Sequence, residues 1–341
     1  MSSHTGEIEL KKQIQDRLNN LTKPIRSLGI LEDIVLQYCV ARGNPDARIK
    51  TKKLFVFAGD HGIAKEGGTP YPSEVTRQMV LNMVNGGAAI SVICKNAGIE
   101  CRVVDIGVNC DFGRAPEILH AKVRPGTQSF LHEPAMTMGE CLAAIEKGRD
   151  LGRNCKADLA AAGEMGIGNS SAASALYSLL LNRPAKDTVG RGTGAEGAIL
   201  ERKGAIISQA VEFHRREWDQ SPMDALRRVG GFEIAAIAGF YLGAAESRIP
   251  VVVDGFIAGA AALVALKMNP SLKPFLFFGH VSKEKFHRDL LEELACRPIL
   301  DLDMCLGEGT GAALAMQVME QALNCYHQMA TFQSAGVSDK K

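Results

Sequence analysis

A short apolar run, a glycine-bearing polar turn and an alanine-rich helical segment follow one another repeatedly from Lys53 onward, and no other feature constrains the fold so tightly. The apolar runs are Leu54–Ala58, Cys101–Ile106, Asp158–Ala162, Pro250–Val253, Phe275–Phe278 and Pro298–Leu302. Their turns are Gly59-Asp60-His61-Gly62, Gly107-Val108-Asn109, Gly163 through Ser171, Asp254-Gly255, Gly279 through Ser282, and Gly307-Glu308-Gly309. This alternation predicts an α/β fold, a mostly parallel sheet covered by helices. In such sheets the ligand crevice lies outside the carboxyl ends of the strands, so all six turns are expected on one side of the molecule.

Two stretches need separate treatment. Residues 7–45 read as helical, with Leu18, Leu21, Ile25, Leu28, Leu31, Ile34, Val35 and Tyr38 approximating an apolar stripe around the break at Thr22-Lys23-Pro24. Residues Ile249 to Met268 are almost wholly apolar and long enough to span a bilayer, but they contain Pro250, Asp254, Gly255 and Gly259. Val251, Val252 and Val253 precede an alanine-rich half, so a buried strand, a turn and a buried helix are expected rather than a membrane span. The polar residues from Ser334 to Lys341 are expected to fray.

Charge and cysteine usage narrow the function classes. The net charge is +1 and the lysines and arginines are scattered, so no nucleic-acid partner is expected. Nine cysteines without a Cys-x-x-Cys pair fit reduced thiols better than disulfides or a zinc site. The first residues carry Glu7 and Glu9 and lack the apolar core of a signal peptide, so a cytoplasmic location is expected.

Several turns carry candidate chemistry. Glu308 sits between two glycines that leave it open to close approach by a ligand. Gly166, Gly168, Asn169 and Ser170 open an alanine-rich helix, where exposed N–H groups and the helix dipole favour an anion. Neither a Walker loop nor a dinucleotide fingerprint is present. The cluster Gly190 to Gly197 leaves much backbone open, with Arg191, Gly192, Thr193 and Gly194 at its centre, and Lys203 downstream is placed to meet a phosphate. Asp60 beside His61 makes no triad, no glycine-flanked serine elbow accompanies it, and no metal-ligand spacing is found; Asp60 stands as a ribose or structural ligand.

Taken together, these motifs resemble the nicotinate-nucleotide:dimethylbenzimidazole phosphoribosyltransferase family, which activates the lower-ligand base of cobamides. The matching segments run through most of the chain in order: Leu21 to Pro24 with Ser27 to Gly29, Ala58 to Gly62, Glu74 to Met79, Gly163 to Asn169, Gly190 to Gly194, Val253 to Gly255, Gly279 to Ser282 and Leu306 to Gly311. The resemblance implies a Rossmann-like sheet carrying the site and a homodimer. It also implies a smaller helical domain built from residues 1–45 and 313–341 around a catalytic domain of residues 46–312. The implied reaction moves 5-phosphoribose from nicotinate mononucleotide to a benzimidazole nitrogen, with no cofactor and no metal. Its general base would be Glu308, with Glu164 as a second acidic residue. Lys203 and the two glycine turns would surround the phosphate, and Gln78 and Met79 would lie beside the base; Ser282 and Gly309 complete the substrate-binding set.

Two departures bear on the acceptor. Ile25 and Arg26 follow Pro24 where the family has Pro-Gly, and Cys305 stands where arginine is common. A phenolic or purine acceptor therefore remains open beside dimethylbenzimidazole. So does a non-catalytic binder of nucleotide or aromatic base, whereas a nicotinamide-dependent dehydrogenase is disfavoured by the missing fingerprint.

Overall fold

The computed structural model describes residues 2–192 and 194–338. Eight strands are present among them: β1 (Lys52–Gly59), β2 (Glu100–Gly107), β3 (Ile118–His120), β4 (Leu159–Met165), β5 (Val251–Val253), β6 (Leu276–Phe278), β7 (His280–Val281) and β8 (Leu300–Asp301). The first six form one sheet in the order β3-β2-β1-β4-β5-β6, every neighbouring pair parallel. That is the doubly wound order whose direction reverses between β1 and β4, the point at which such sheets open a ligand crevice.

Successive side chains of a strand face opposite sides, and both sides are buried here. Leu54, Val56, Ala161, Val252 and Phe277 enter one core. Phe55, Phe57, Ala160, Ala162, Val251 and Phe278 enter the other. Helices Met138–Arg153, Phe232–Glu246 and Phe256–Met268 cover the second face. The segment from Ile249 to Met268 is thus a buried strand and helix, and no helix among the described residues is long and apolar enough to cross a membrane.

The first face is covered by helices from both chain ends, Ser2–Asn20, Ile30–Arg42 and Thr310–Gln328. The ends are tied directly: Arg17 Nε donates to the Tyr326 carbonyl at 3.0 Å, and Leu21 bridges to Thr331. In the break between the first two helices Lys23 Nζ meets Glu32 Oε1 of the second helix at 2.9 Å, both buried, whereas Ile25, expected in the apolar stripe, is exposed because the chain there is a turn and not a helix. The helix Thr310–Gln328 is continuous across the expected boundary at 312–313.

Three expectations need correction. The run Pro298–Leu302 does not join the main sheet: only Leu300 and Asp301 are strand, paired to His280 and Val281 in a separate two-stranded ladder. Gly279 interrupts the strand there, and its N–H turns back to the Val253 carbonyl at 2.7 Å, so the last run adds to the continuation beyond the break. The sixth strand is instead Ile118–His120, three residues paired with Val103–Asp105 and too short to show a period. The third run also extends to Met165, because β1 is long enough to pair Phe57 with Glu164 and Ala58 with Met165; Glu164 is therefore a strand residue. Lastly, Ser334 and Ala335, expected to fray, close a helical turn capped by Thr331.

Candidate active site

Gly307, Glu308 and Gly309 all have positive φ, at 81°, 61° and 89°. For Glu308 this left-handed conformation costs roughly 1–2 kcal/mol, so neighbouring contacts must hold it. Asp254, just past β5, supplies two of them: its Oδ2 accepts from Gly309 N at 3.1 Å and its Oδ1 from Ala312 N at 2.9 Å. One carboxylate thereby satisfies open N–H groups at the start of helix Thr310–Gln328, favourably placed at the positive end of the helix dipole. Thr310 Oγ1 closes the turn on the Gly307 carbonyl at 2.8 Å. His280 lies against the same helix start, where a Cβ on Gly311 would stand 2.0 Å from its ring.

Glu164 projects from β4 beneath this turn. Its Oε1 accepts from the Glu308 N–H at 3.4 Å and its Oε2 from the Asn169 amide. Burial, then the charges of Asp254 and Glu233, push the Glu164 carboxyl up to about 8. Burial and then Asp254 push Glu308 up to about 7. Glu308 Oε2 is buried and has no hydrogen-bond partner among the described residues. One carboxyl is thus held largely protonated at neutral pH, and the other is poised to exchange a proton there.

Both carboxyls open onto a cavity of about 390 Å³. Its walls come from the segments after β1, β4, β5, β6 and β8, and Val75, Met79, Ile167, Phe256, Ile257 and Leu306 make them predominantly apolar. A planar aromatic molecule suits such walls, with the few polar groups fixing its orientation. The turn after β2 does not reach the cavity; Asn109 N instead donates to Asp60 Oδ2 at 2.7 Å.

The expected site residues separate into two groups. Met79, Glu164, Gly166, Asn169, Ser170, Gly192, Ser282 and Glu308 line the cavity. Gln78, exposed on the helix face beside Met79, does not. Arg191 pairs with Glu196 and, with Gly194, faces a second chamber of about 890 Å³. Gly168 packs on His61 and Ile63 below the turn, and Gly309 is engaged by Asp254. Thr193 lies outside the described residues. Lys203 is buried behind the cavity wall, its Nζ 3.0 Å from Ser170 Oγ and 3.1 Å from the Gly190 carbonyl, and burial lowers its ammonium to about 8.

Asp254, His280 and Glu284 also line the cavity and were not singled out from the sequence. Asp254 and His280 belong to motifs quoted for the resemblance, and their position after strands was the available signal. Beneath Gly166, His61 Nε2 and Glu233 Oε1 form a fully buried pair at 2.7 Å, a contact between segments distant in sequence.

A family model described as phosphoribosyltransferase matches residues 5–337. Two proteins named nicotinate-nucleotide–dimethylbenzimidazole phosphoribosyltransferase are similar over nearly the whole length. That of Chlorobaculum tepidum is 48% identical, over 98% of this chain and 95% of its own. That of Geobacter metallireducens is 46% identical, over 96% and 94%. The crystal structure of CobT from Thermus thermophilus superposes with a TM-score of 0.93 at 45% identity, covering 97% of this chain and 100% of that one.

Proposed function

Since the chain belongs to the nicotinate-nucleotide–dimethylbenzimidazole phosphoribosyltransferase family, we propose that it transfers 5-phosphoribose from nicotinate mononucleotide to a benzimidazole-type base in cobamide lower-ligand assembly. The products are the α-riboside 5′-phosphate and nicotinate. The observation that carries this reading is the Glu308 carboxyl, aimed into an apolar cavity with an unpartnered oxygen and raised to about 7.

A neutral azole N–H is a poor acid. As its other nitrogen attacks the anomeric carbon, positive charge develops on the ring and the N–H proton becomes acidic; Glu308 accepts it while the bond to nicotinate breaks. The nicotinate nitrogen leaves as a neutral pyridine, so charge balances without further proton transfer. General-base assistance of this kind contributes about 10² to 10⁴ in rate, and alignment of donor and acceptor supplies the rest. Glu164 holds the Glu308 backbone and presents a largely protonated carboxyl beside it. Lys203, Ser170 and the N-terminus of helix Asn169–Leu180 receive the phosphate, with Gly192 allowing close approach. Met79 packs beside the base, with Gln78 exposed next to it on the same helix, and Cys305, exposed on the cavity wall, contributes to acceptor choice. The enzyme works as a cytoplasmic homodimer.

Incubating the purified protein with nicotinate mononucleotide and a panel of benzimidazoles, phenols and adenine, with products read by mass, tests this directly. A riboside phosphate formed with stoichiometric nicotinate release is expected, and Glu308→Ala should bind the nucleotide yet lose most turnover. Binding without nicotinate release for any base would leave a nucleotide-binding protein in place of the enzyme.

A further inference from the structure

The cavity beside Glu308 and the chamber beside Arg191 share one wall, formed by Gly192, Glu284, Cys305 and Leu306. Glu284 is the one carboxylate in it. Its Oε2 is buried and has no hydrogen-bond partner among the described residues. An ionised carboxylate accepts hydrogen bonds and donates none, so a buried oxygen of this kind calls for hydroxyl or N–H donors from outside.

Its position relative to Lys203 indicates which donors. The two side chains flank Gly190: Lys203 Nζ donates to the Gly190 carbonyl at 3.1 Å, while a Cβ on Gly190 would stand 2.0 Å from Glu284 Oε2. Only glycine at that position leaves the carboxylate its place. Lys203 also reaches Ser170 in the first turn of helix Asn169–Leu180, a cation beside a helix start and so a phosphate receptor. A sugar phosphate anchored there carries its ring past Gly190 and Gly192 to Glu284. The donors on that ring are adjacent hydroxyls, which one carboxylate can take together.

Resting on the transferase reading, we propose that Glu284 is the ribose receptor of this site, accepting hydrogen bonds from the 2′- and 3′-hydroxyls of the donor nucleotide and thereby selecting ribosyl over deoxyribosyl groups. A site built around a substrate hydroxyl rejects the analogue lacking it, because its acceptor is then left unfilled.

Calorimetric binding of nicotinate mononucleotide and of its 2′-deoxy analogue provides the test without requiring turnover. The wild-type protein should favour the ribonucleotide by about 10- to 100-fold, the range for a hydrogen bond to a charged group. Glu284→Ala should bind both alike, and no more tightly than wild type binds the deoxy analogue, since the 3′-hydroxyl contact is lost as well; Glu284→Gln should keep part of the preference. Inorganic phosphate should bind wild type and Glu284→Ala equally. Absence of preference in the wild type, or its persistence in a folded Glu284→Ala, would overturn the assignment. A wild-type protein that discriminates but forms no riboside with any aromatic base would retain the ribose receptor and lose the transferase reading; one that turns over without discriminating would do the reverse.

Discussion

The backbone of Glu308 lies directly on Gly163: a Cβ built on that glycine would stand 2.4 Å from both the carbonyl carbon and the carbonyl oxygen of Glu308. The sheet therefore fixes the height of the proposed base through the absence of one methyl group. Gly163→Ala must push the turn away from β4, with a stability loss of about 1–3 kcal/mol. A displacement near 1 Å at a reacting group costs about 10²-fold in rate. Steady-state kinetics beside urea denaturation should show the loss in kcat. An alanine variant with normal kcat would mean that the turn tolerates the shift.

Proton acceptance by Glu308 requires its ionised form, and the group is raised to about 7. The expected kcat/KM profile therefore climbs with pH and levels off above about 7. In Glu308→Gln the climb should disappear together with about 10² to 10⁴ of the rate. A limb that survives in the variant would assign the titration to another group.

Asp254 bonds two N–H groups of the turn and adds negative charge beside Glu308. In Asp254→Asn the amide oxygen can accept from one of these two donors while the amide nitrogen opposes the other, so a stability loss of about 1–3 kcal/mol is expected. Removing the charge should also move the acidic limb of the activity profile to lower pH. Glu164 and Glu308 face this position from β4 and the turn, His280 Nε2 lies 3.9 Å from Oδ1, and Tyr241 approaches from the helix below. An unmoved limb would leave burial alone as the cause of the Glu308 shift.

Glu164 ties protonation to folding. Its folded value of about 8 lies above its ordinary 4.5, so the folded chain binds the extra proton between those values. Stability conferred by that proton is complete below 4.5 and is lost as pH rises through about 8. Measured against Glu164→Gln, which does not titrate, wild-type stability should decline across this window by an amount on the order of a few kcal/mol. Parallel pH dependences in the two proteins would show that the carboxyl is solvated in solution.

Much of this molecule is legible in its sequence because the decisive signals are local. Buried runs such as Leu54–Ala58 and Val251–Val253 declare strands that are covered on both faces, and glycines on either side of Glu308 declare an approachable carboxylate. What escapes are relationships between distant turns. Asp254 matters through residues 309 and 312, Glu284 through Gly190, and His61 through Glu233, and no spacing encodes those meetings. Adjacent positions divide for a geometric reason: neighbours on a helix point about 100° apart, so Met79 enters the cavity while Gln78 stays exposed. Ile118–His120 is recognised as a strand only beside Val103–Asp105.

The helix Thr310–Gln328 places Met316 and Met319 in the layer that covers Leu54, Val56 and Ala161. During synthesis that layer is filled last, since the ribosome delivers its lid after every strand of the main sheet. Until then the part of that face covered by Met316 and Met319 stays open, although the N-terminal helices already cover the rest, and exposed apolar surface of this kind favours aggregation. The same late segment holds Ala312 against Asp254 and so sets the Glu308 turn. A chain that stops short of this helix therefore leaves the core partly uncovered and lacks the N–H that Asp254 holds, both through one missing segment.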